Sequence, residues 1–176
     1  MKGNNKLLNC SFWKGKRILI TGNTGFKGTW LSIWLSMKGA EIYGFSLKIT
    51  HDNFFYTKTM EEKKIVKNYE GDIRNLQDIR NCIDEVKPHI VFHLAAQSLV
   101  QTSYKKPIDT WETNVIGTLN ILESLKSLSN KCAIIIVTSD KVYENKETLQ
   151  GYKESDKLGG KDPYSSSKAA TEILVS

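Results

Sequence analysis

Tyr164 and Lys168 stand four residues apart, so on a helix they share one face. A phenol with its ordinary pKa of about 10 is a poor base near neutral pH. An ammonium beside it stabilises the phenolate and draws that pKa down. Such a pair can take a proton from a substrate hydroxyl while hydride leaves the same carbon. Ser139 follows the apolar run from Ala133 to Thr138, where its hydroxyl would hold the same substrate oxygen. A bare Tyr-x-x-x-Lys match also describes an ordinary exposed helix pair. Order along the chain separates the two readings: a glycine loop comes first, then a strand ending in serine, then Tyr164 and Lys168.

The glycine loop is Thr21-Gly22-Asn23-Thr24-Gly25-Phe26-Lys27-Gly28, placed between an apolar run and a helical pattern. Gly22 turns the chain off the strand, Gly25 lets backbone approach a pyrophosphate, and Gly28 lets the helix pack on the sheet. The helix N-terminus then offers free N–H groups and positive partial charge to phosphates. Gly22, Thr24, Gly25, Phe26, Lys27 and Gly28 are therefore candidate dinucleotide contacts. An acid usually follows about 20 residues later to hold the adenosine ribose. Here the second strand ends in Phe45-Ser46-Leu47-Lys48 with no acid, so Ser46 is the candidate. Lys48 would suit a 2′-phosphate, and NAD and NADP both remain open.

These groups need a sheet to carry them. Apolar runs at 17–21, 41–46, 64–69, 89–94 and 133–138 alternate with helical patterns. The first, fourth and fifth lack polar alternation, as strands covered on both faces should. Trp30, Leu31, Trp34 and Leu35 fall on one helical stripe ended by Gly39, and Asn75 is a cap for a helix that Pro88 ends. The expectation is an α/β, Rossmann-like, doubly wound parallel sheet, with 1–14 as an N-terminal extension and 15–176 as the nucleotide-binding domain. A sheet of this kind normally has about six strands. Five candidates are present, so the domain reads as truncated at its C-terminus, without a substrate domain. The 176 residues carry a net charge of +6 from scattered lysines, which reads as a solvated surface rather than a nucleic-acid face. Cys10, Cys82 and Cys132 show no metal-ligand spacing, and no metal is expected. No secretory signal is legible and no run reaches the roughly 18 apolar residues of a membrane span, so a cytoplasmic location is expected.

The glycine spacing resembles the loop of the short-chain dehydrogenase/reductase family. The resemblance extends through Phe12 to Arg17, His93 to Val100, Ser103-Tyr104, Thr113-Asn114-Val115, Ser139 to Asn145 and Gly159 to Ser165. From about Phe12 onward the chain resembles the CDP-glucose 4,6-dehydratases, a branch of the extended family of NAD-dependent epimerases and dehydratases. That resemblance implies NAD as cofactor and a nucleotide sugar, CDP-glucose, as substrate. It implies that Asp72, with Ile73, holds the adenine, that Leu94, Ala95, Ala96 and Gln97 line the cofactor, and that Asn114 organises the site. It further implies oxidation of the glucose 4-hydroxyl with Tyr164 as base, Lys168 tuning it and Ser139 orienting it. Asp140 would then protonate the departing 6-hydroxyl and Lys141 would take part in removing the C5 proton. Hydride would finally return to C6. Gln101 and Asn23 depart from the family's usual arginine and histidine. The family's later portion supplies most sugar-nucleotide contacts, so weak NAD binding and little turnover are expected of this chain alone. A 4-epimerase, or a non-catalytic dinucleotide-binding remnant or partner subunit, stays open. By analogy with the family, helices around Leu119 and Tyr164 would pair in a homodimer.

Overall fold

The structure is a computed structural model, and it describes residues 10–50, 54–60, 65–147 and 149–176. Strands β1 (Arg17–Thr21), β2 (Glu41–Ser46), β3 (Lys67–Glu70), β4 (Ile90–His93) and β5 (Ala133–Ile136) form one parallel sheet in the order β3-β2-β1-β4-β5. The winding reverses between β1 and β4. In open parallel sheets, ligands bind beyond the carboxyl ends of the strands at such a reversal. Leu19 of β1 lies opposite Tyr43 on one side and Val91 on the other, which fixes the register.

Side chains alternate across β1 and split the core in two. Ile18 and Ile20 pack with Leu35, Ile42 and Ile90 on one face. Leu19 packs with Phe45, Ile79, Ile83, Val91 and Ile121 on the other. Helix α1 (Cys10–Trp13) adds Trp13 to the first cluster, alongside Leu31 of α2 (Phe26–Met37). Helix α3 (Phe54–Met60) packs against α2. Helices α4 (Leu76–Val86) and α7 (Gly117–Leu125) cover the second face. As expected, the Asn75 side chain accepts a hydrogen bond from the Gln77 N–H and caps α4, which stops before Pro88. Helices α5 (Val100–Lys105) and α6 (Pro107–Trp111) lead into a π-helical turn, Glu112–Ile116, and α8 (Pro163–Val175) closes the described chain. No helix among the described residues is long and apolar enough to cross a membrane.

Some expectations needed correction. The third strand begins at Lys67 rather than Lys64, a residue outside the described set. The stripe of Trp30, Leu31, Trp34 and Leu35 is split: Leu35 is buried, but Trp30 and Trp34 are 54% and 47% exposed. Gly28, Thr29 and Ser32 are the residues buried with Leu35, and at Gly28 the loop backbone leaves no room for a side chain. The displaced rings instead meet other aromatics, Trp30 against Phe55 and Trp34 against Trp13. Strand β5 is not covered on both faces, and Ile135 is 40% exposed. Among the described residues it bonds to β4 alone, and Ile134 packs against the core shared with α4 and α7. Asn114 sits inside the π-helical turn.

Candidate active site

A cleft of about 670 Å³ opens at the carboxyl ends of the strands. That is the size range of small-molecule sites. Its first wall is the glycine loop, and Gly22, Thr24, Gly25, Phe26, Lys27 and Gly28 all line it. Gly22 sits at φ +70°, and a Cβ there would lie 2.8 Å from the Ala95 nitrogen. At Gly28 a Cβ would lie 2.3 Å from the Gly22 oxygen. Only bare backbone lets the loop, the β4 exit and α2 approach this closely. Gly25 precedes α2 without a side-chain cap, which leaves the first N–H groups for a ligand. Asn23, fully buried, turns away from the cleft and donates to Asn68 Oδ1 at 2.8 Å, tying the loop to β3.

The β2 exit and the loop after β3 form the next wall. Ser46 lines the cleft, is 6% exposed, and its hydroxyl has no partner among the described residues. A buried hydroxyl left unpaired is costly, so this one is suited to a ligand group. Lys48 lines the same wall, as do Asp72 and Ile73. Arg74 donates to both carboxylate oxygens of Asp72, at 2.7 to 3.1 Å, and holds that carboxyl below its usual range. Arg74 also lines the cleft, which the sequence reading missed; its proximity to Asp72 was the available signal.

The floor comes from the β4 exit. Leu94, Ala95 and Ala96 line the cleft, whereas Gln97 does not. The Gln97 amide donates to Thr110 Oγ1 at 2.9 Å and to the Leu99 carbonyl at 3.1 Å, and it accepts from the Leu99 N–H. Asn114 is likewise outside the lining. Its Oδ1 accepts from the Gln97 N–H at 2.8 Å, and its Nδ2 donates to the Gln97 carbonyl and to Ser167 Oγ. It therefore stitches the β4 exit to α8. Gln101 lies exposed on α5.

His93 anchors the region from below. The Ala95 N–H donates to Thr21 Oγ1, which lies 2.6 Å from His93 Nδ1. His93 Nε2 lies 3.0 Å from Thr118 Oγ1, which donates to the Asn114 carbonyl. Because Thr118 gives its proton to Asn114, it must accept from Nε2–H, and Nδ1 must accept from Thr21. The ring is thus a neutral Nε2–H tautomer. Burial pushes its pKa down to about 3, and the charge of Lys168 adds to the effect.

Tyr164 and Lys168 line the far end of the cleft together with Val137 and Thr138. Asp162 caps α8 by accepting from the Tyr164 and Ser165 N–H groups at 3.0 Å, and Pro163 occupies the first helical position. Lys168 Nζ donates to the Val137 carbonyl at 3.1 Å. Burial draws this ammonium down to about 8, with Glu172 opposing the shift. Ser139 is not part of the lining. It caps the 3-10 turn Asp140–Val142, accepting from the Lys141 N–H and donating to Asp140 Oδ1, both at 3.2 Å. Asp140 and Lys141 are exposed. The structure therefore gathers the glycine loop, Ser46, Asp72, Tyr164 and Lys168 around one cleft, and leaves Ser139, Asp140, Lys141, Gln97 and Asn114 outside its lining. Thr138 was missed, because nothing in its local sequence distinguishes it from any strand-end residue.

Residues 19–176 match the family described as GDP-mannose 4,6 dehydratase. The chain belongs to that family. Among relatives in this dehydratase family's neighbourhood, a CDP-glucose 4,6-dehydratase from Salmonella typhimurium is 45% identical over 97% of this chain and 47% of its own length. A dTDP-D-glucose 4,6-dehydratase from Dictyostelium discoideum is 34% identical over 91% of this chain and 39% of its own length. A UDP-glucose 4-epimerase from Bifidobacterium longum, solved with NAD+ and UDP, superposes with a TM-score of 0.78 at 28% identity, covering 90% of this chain and 48% of that one. The chain spans about half the length of the curated relatives it matches. The fold is the Rossmann-like parallel sheet of the epimerases and dehydratases.

Proposed function

We propose that this chain is the dinucleotide-binding and proton-transfer part of a sugar-nucleotide 4,6-dehydratase, with NAD as cofactor and CDP-glucose as substrate. The observation that carries the reading is that the glycine loop and the Tyr164–Lys168 pair line the same cleft. The residues present fit a dinucleotide: bare Gly22 and Gly28, where a side chain would strike neighbouring backbone, keep the loop tight with uncapped N–H groups facing the cleft, and the Ser46 hydroxyl has no partner among the described residues. In this proposal residues 15–176 form the nucleotide-binding domain, preceded by the extension 1–14. The free thiols of Cys82 and Cys132 suit a reducing cytoplasm.

Gly22, Thr24, Gly25, Phe26, Lys27 and Gly28 would hold the pyrophosphate, Ser46 the ribose, and Asp72 with Ile73 the adenine. Leu94, Ala95 and Ala96 would bear on the nicotinamide side, with Gln97 and Asn114 positioning that wall from behind. When bound, NAD supplies a reversible hydride acceptor. Tyr164 would take the proton of the sugar 4-hydroxyl, with the Lys168 ammonium stabilising the phenolate. Ser139 would steady that oxygen after releasing Asp140 by a side-chain rotation. Asp140 would protonate the departing 6-hydroxyl, and Lys141 would assist removal of the C5 proton. CDP-glucose is favoured over other sugar nucleotides by the 45% identity to the Salmonella typhimurium enzyme. A homodimer through α7 and α8 is part of the proposal.

Thermal melting with NAD and NADP tests the cofactor. Ligand that binds only the folded state raises the midpoint, by about 2.7 kcal/mol of stability at a hundredfold excess over Kd. We expect a rise with NAD; no rise with millimolar NAD or NADP sinks the reading. Incubation with CDP-glucose and NAD, read by the alkaline absorbance of a 4-keto sugar, tests the reaction. Little product is expected from the 176-residue chain alone.

A further inference from the structure

Lys168 is only 6% exposed, and its Nζ donates to a neutral acceptor, the Val137 carbonyl. A buried ammonium without an opposite charge nearby is costly. Four residues further on, in the last turn of α8, stands Glu172. Two local rules disfavour an acid there. The carboxyl end of a helix favours cations, and Lys followed by Glu at i,i+4 is the weaker orientation. The offset is tertiary. Glu172 Oε1 accepts a hydrogen bond from Thr138 Oγ1, and Thr138 and Val137 both line the cleft. Successive turns of α8 thus hold neighbouring residues beyond β5, Lys168 through a carbonyl and Glu172 through a hydroxyl.

We propose that Glu172 is a positioning residue: it tethers Thr138 and supplies the negative charge that keeps Lys168 in place as an ammonium for Tyr164. The inference rests on the assignment of Tyr164 and Lys168 to proton transfer and deepens it. The titratable groups around Lys168 are few. Tyr164 and Glu172 share its helix, His93 of β4 lies beneath as a neutral ring, and the segment after β5 presents the Val137 carbonyl. Burial draws the Lys168 ammonium down to about 8 while Glu172 opposes it. A further fall would carry it through neutral pH and remove the cation that stabilises the phenolate.

The test is NMR titration of the whole chain labelled with 13C at the lysine ε-carbons, with the Lys168 signal assigned by its loss in Lys168→Arg. Glu172→Gln keeps size and an acceptor for Thr138 but removes the charge. Its Lys168 midpoint should fall by about one pH unit or more. Glu172→Asp keeps the charge and should stay closer to wild type than Glu172→Gln does. Thr138→Val keeps the charge and breaks the tether, and should move the midpoint less than half as far as Glu172→Gln. An unmoved midpoint in Glu172→Gln overturns the proposal, as does an equal shift in Thr138→Val, which would mean packing rather than charge. Should Glu172→Gln not fold, Glu172→Asp and Thr138→Val decide: a fall as large as one unit in either overturns it. The NAD melting experiment on wild type reads the cofactor assignment separately, so either conclusion can fail while the other stands.

Discussion

Strands β1 and β5 flank β4, and each delivers part of the cleft from its carboxyl end. β1 is buried from Ile18 to Thr21, with hydrogen-bonded neighbours on both sides. β5 has one neighbour and exposes Ala133 and Ile135. The two ends are organised differently as a result. After β1, the loop is set by backbone pressed on backbone at Gly22, Gly28 and Ala95. After β5, the Val137 N–H still donates to the His93 carbonyl of β4, and α8 side chains hold the segment from the other side, Lys168 at Val137 and Glu172 at Thr138. The glycine-loop end is a rigid consequence of the sheet interior. The Tyr164–Lys168 end has one backbone bond to β4 and otherwise depends on a few polar contacts with one helix.

Truncating the interior strand should have the largest effect. Ile20→Ala should cost about 3 kcal/mol, since it removes a fully buried side chain between packed layers. Urea denaturation reads this, and a loss under about 1 kcal/mol would contradict the rigid-interior account.

Acid should act next, through the link beneath both ends. His93 is held neutral, with its folded pKa near 3 against an ordinary 6.5. The unfolded chain therefore binds a proton below about pH 6.5 that the folded chain refuses until pH about 3. This contribution is complete above that window and is lost as pH falls through it, with a limiting slope of about 1.4 kcal/mol per pH unit. Urea midpoints measured from pH 7 to 5 should fall less steeply in His93→Asn than in wild type. Parallel pH profiles would mean that the ring is not the connector described.

The smallest effect sharpens the contrast from the other side. Ile135→Ala on β5 should cost under about 1 kcal/mol, because 40% of that side chain already meets solvent. A loss matching that of Ile20→Ala would show that the outer face of β5 is covered in solution.

The sequence alone determined the parallel sheet, the cap at Asn75, the tight glycine turn after β1 and the shared face of Tyr164 and Lys168. Each of these follows from short-range rules: residue periodicity, side-chain acceptors for orphan N–H groups, and glycine at a positive φ or a close approach. Tertiary structure alone decided that β5 is half bare, that Trp30 and Trp34 face outward, and that Gln97 and Asn114 stand behind the wall. Those outcomes depend on which distant element arrives at a surface and which hydrogen-bond partner it brings. Thr138 and Glu172 lie 34 residues apart and carry no mutual signal in the chain. Folding of α8 onto the strand ends creates that contact, because a local pattern fixes the direction of a side chain but not the identity of what it meets.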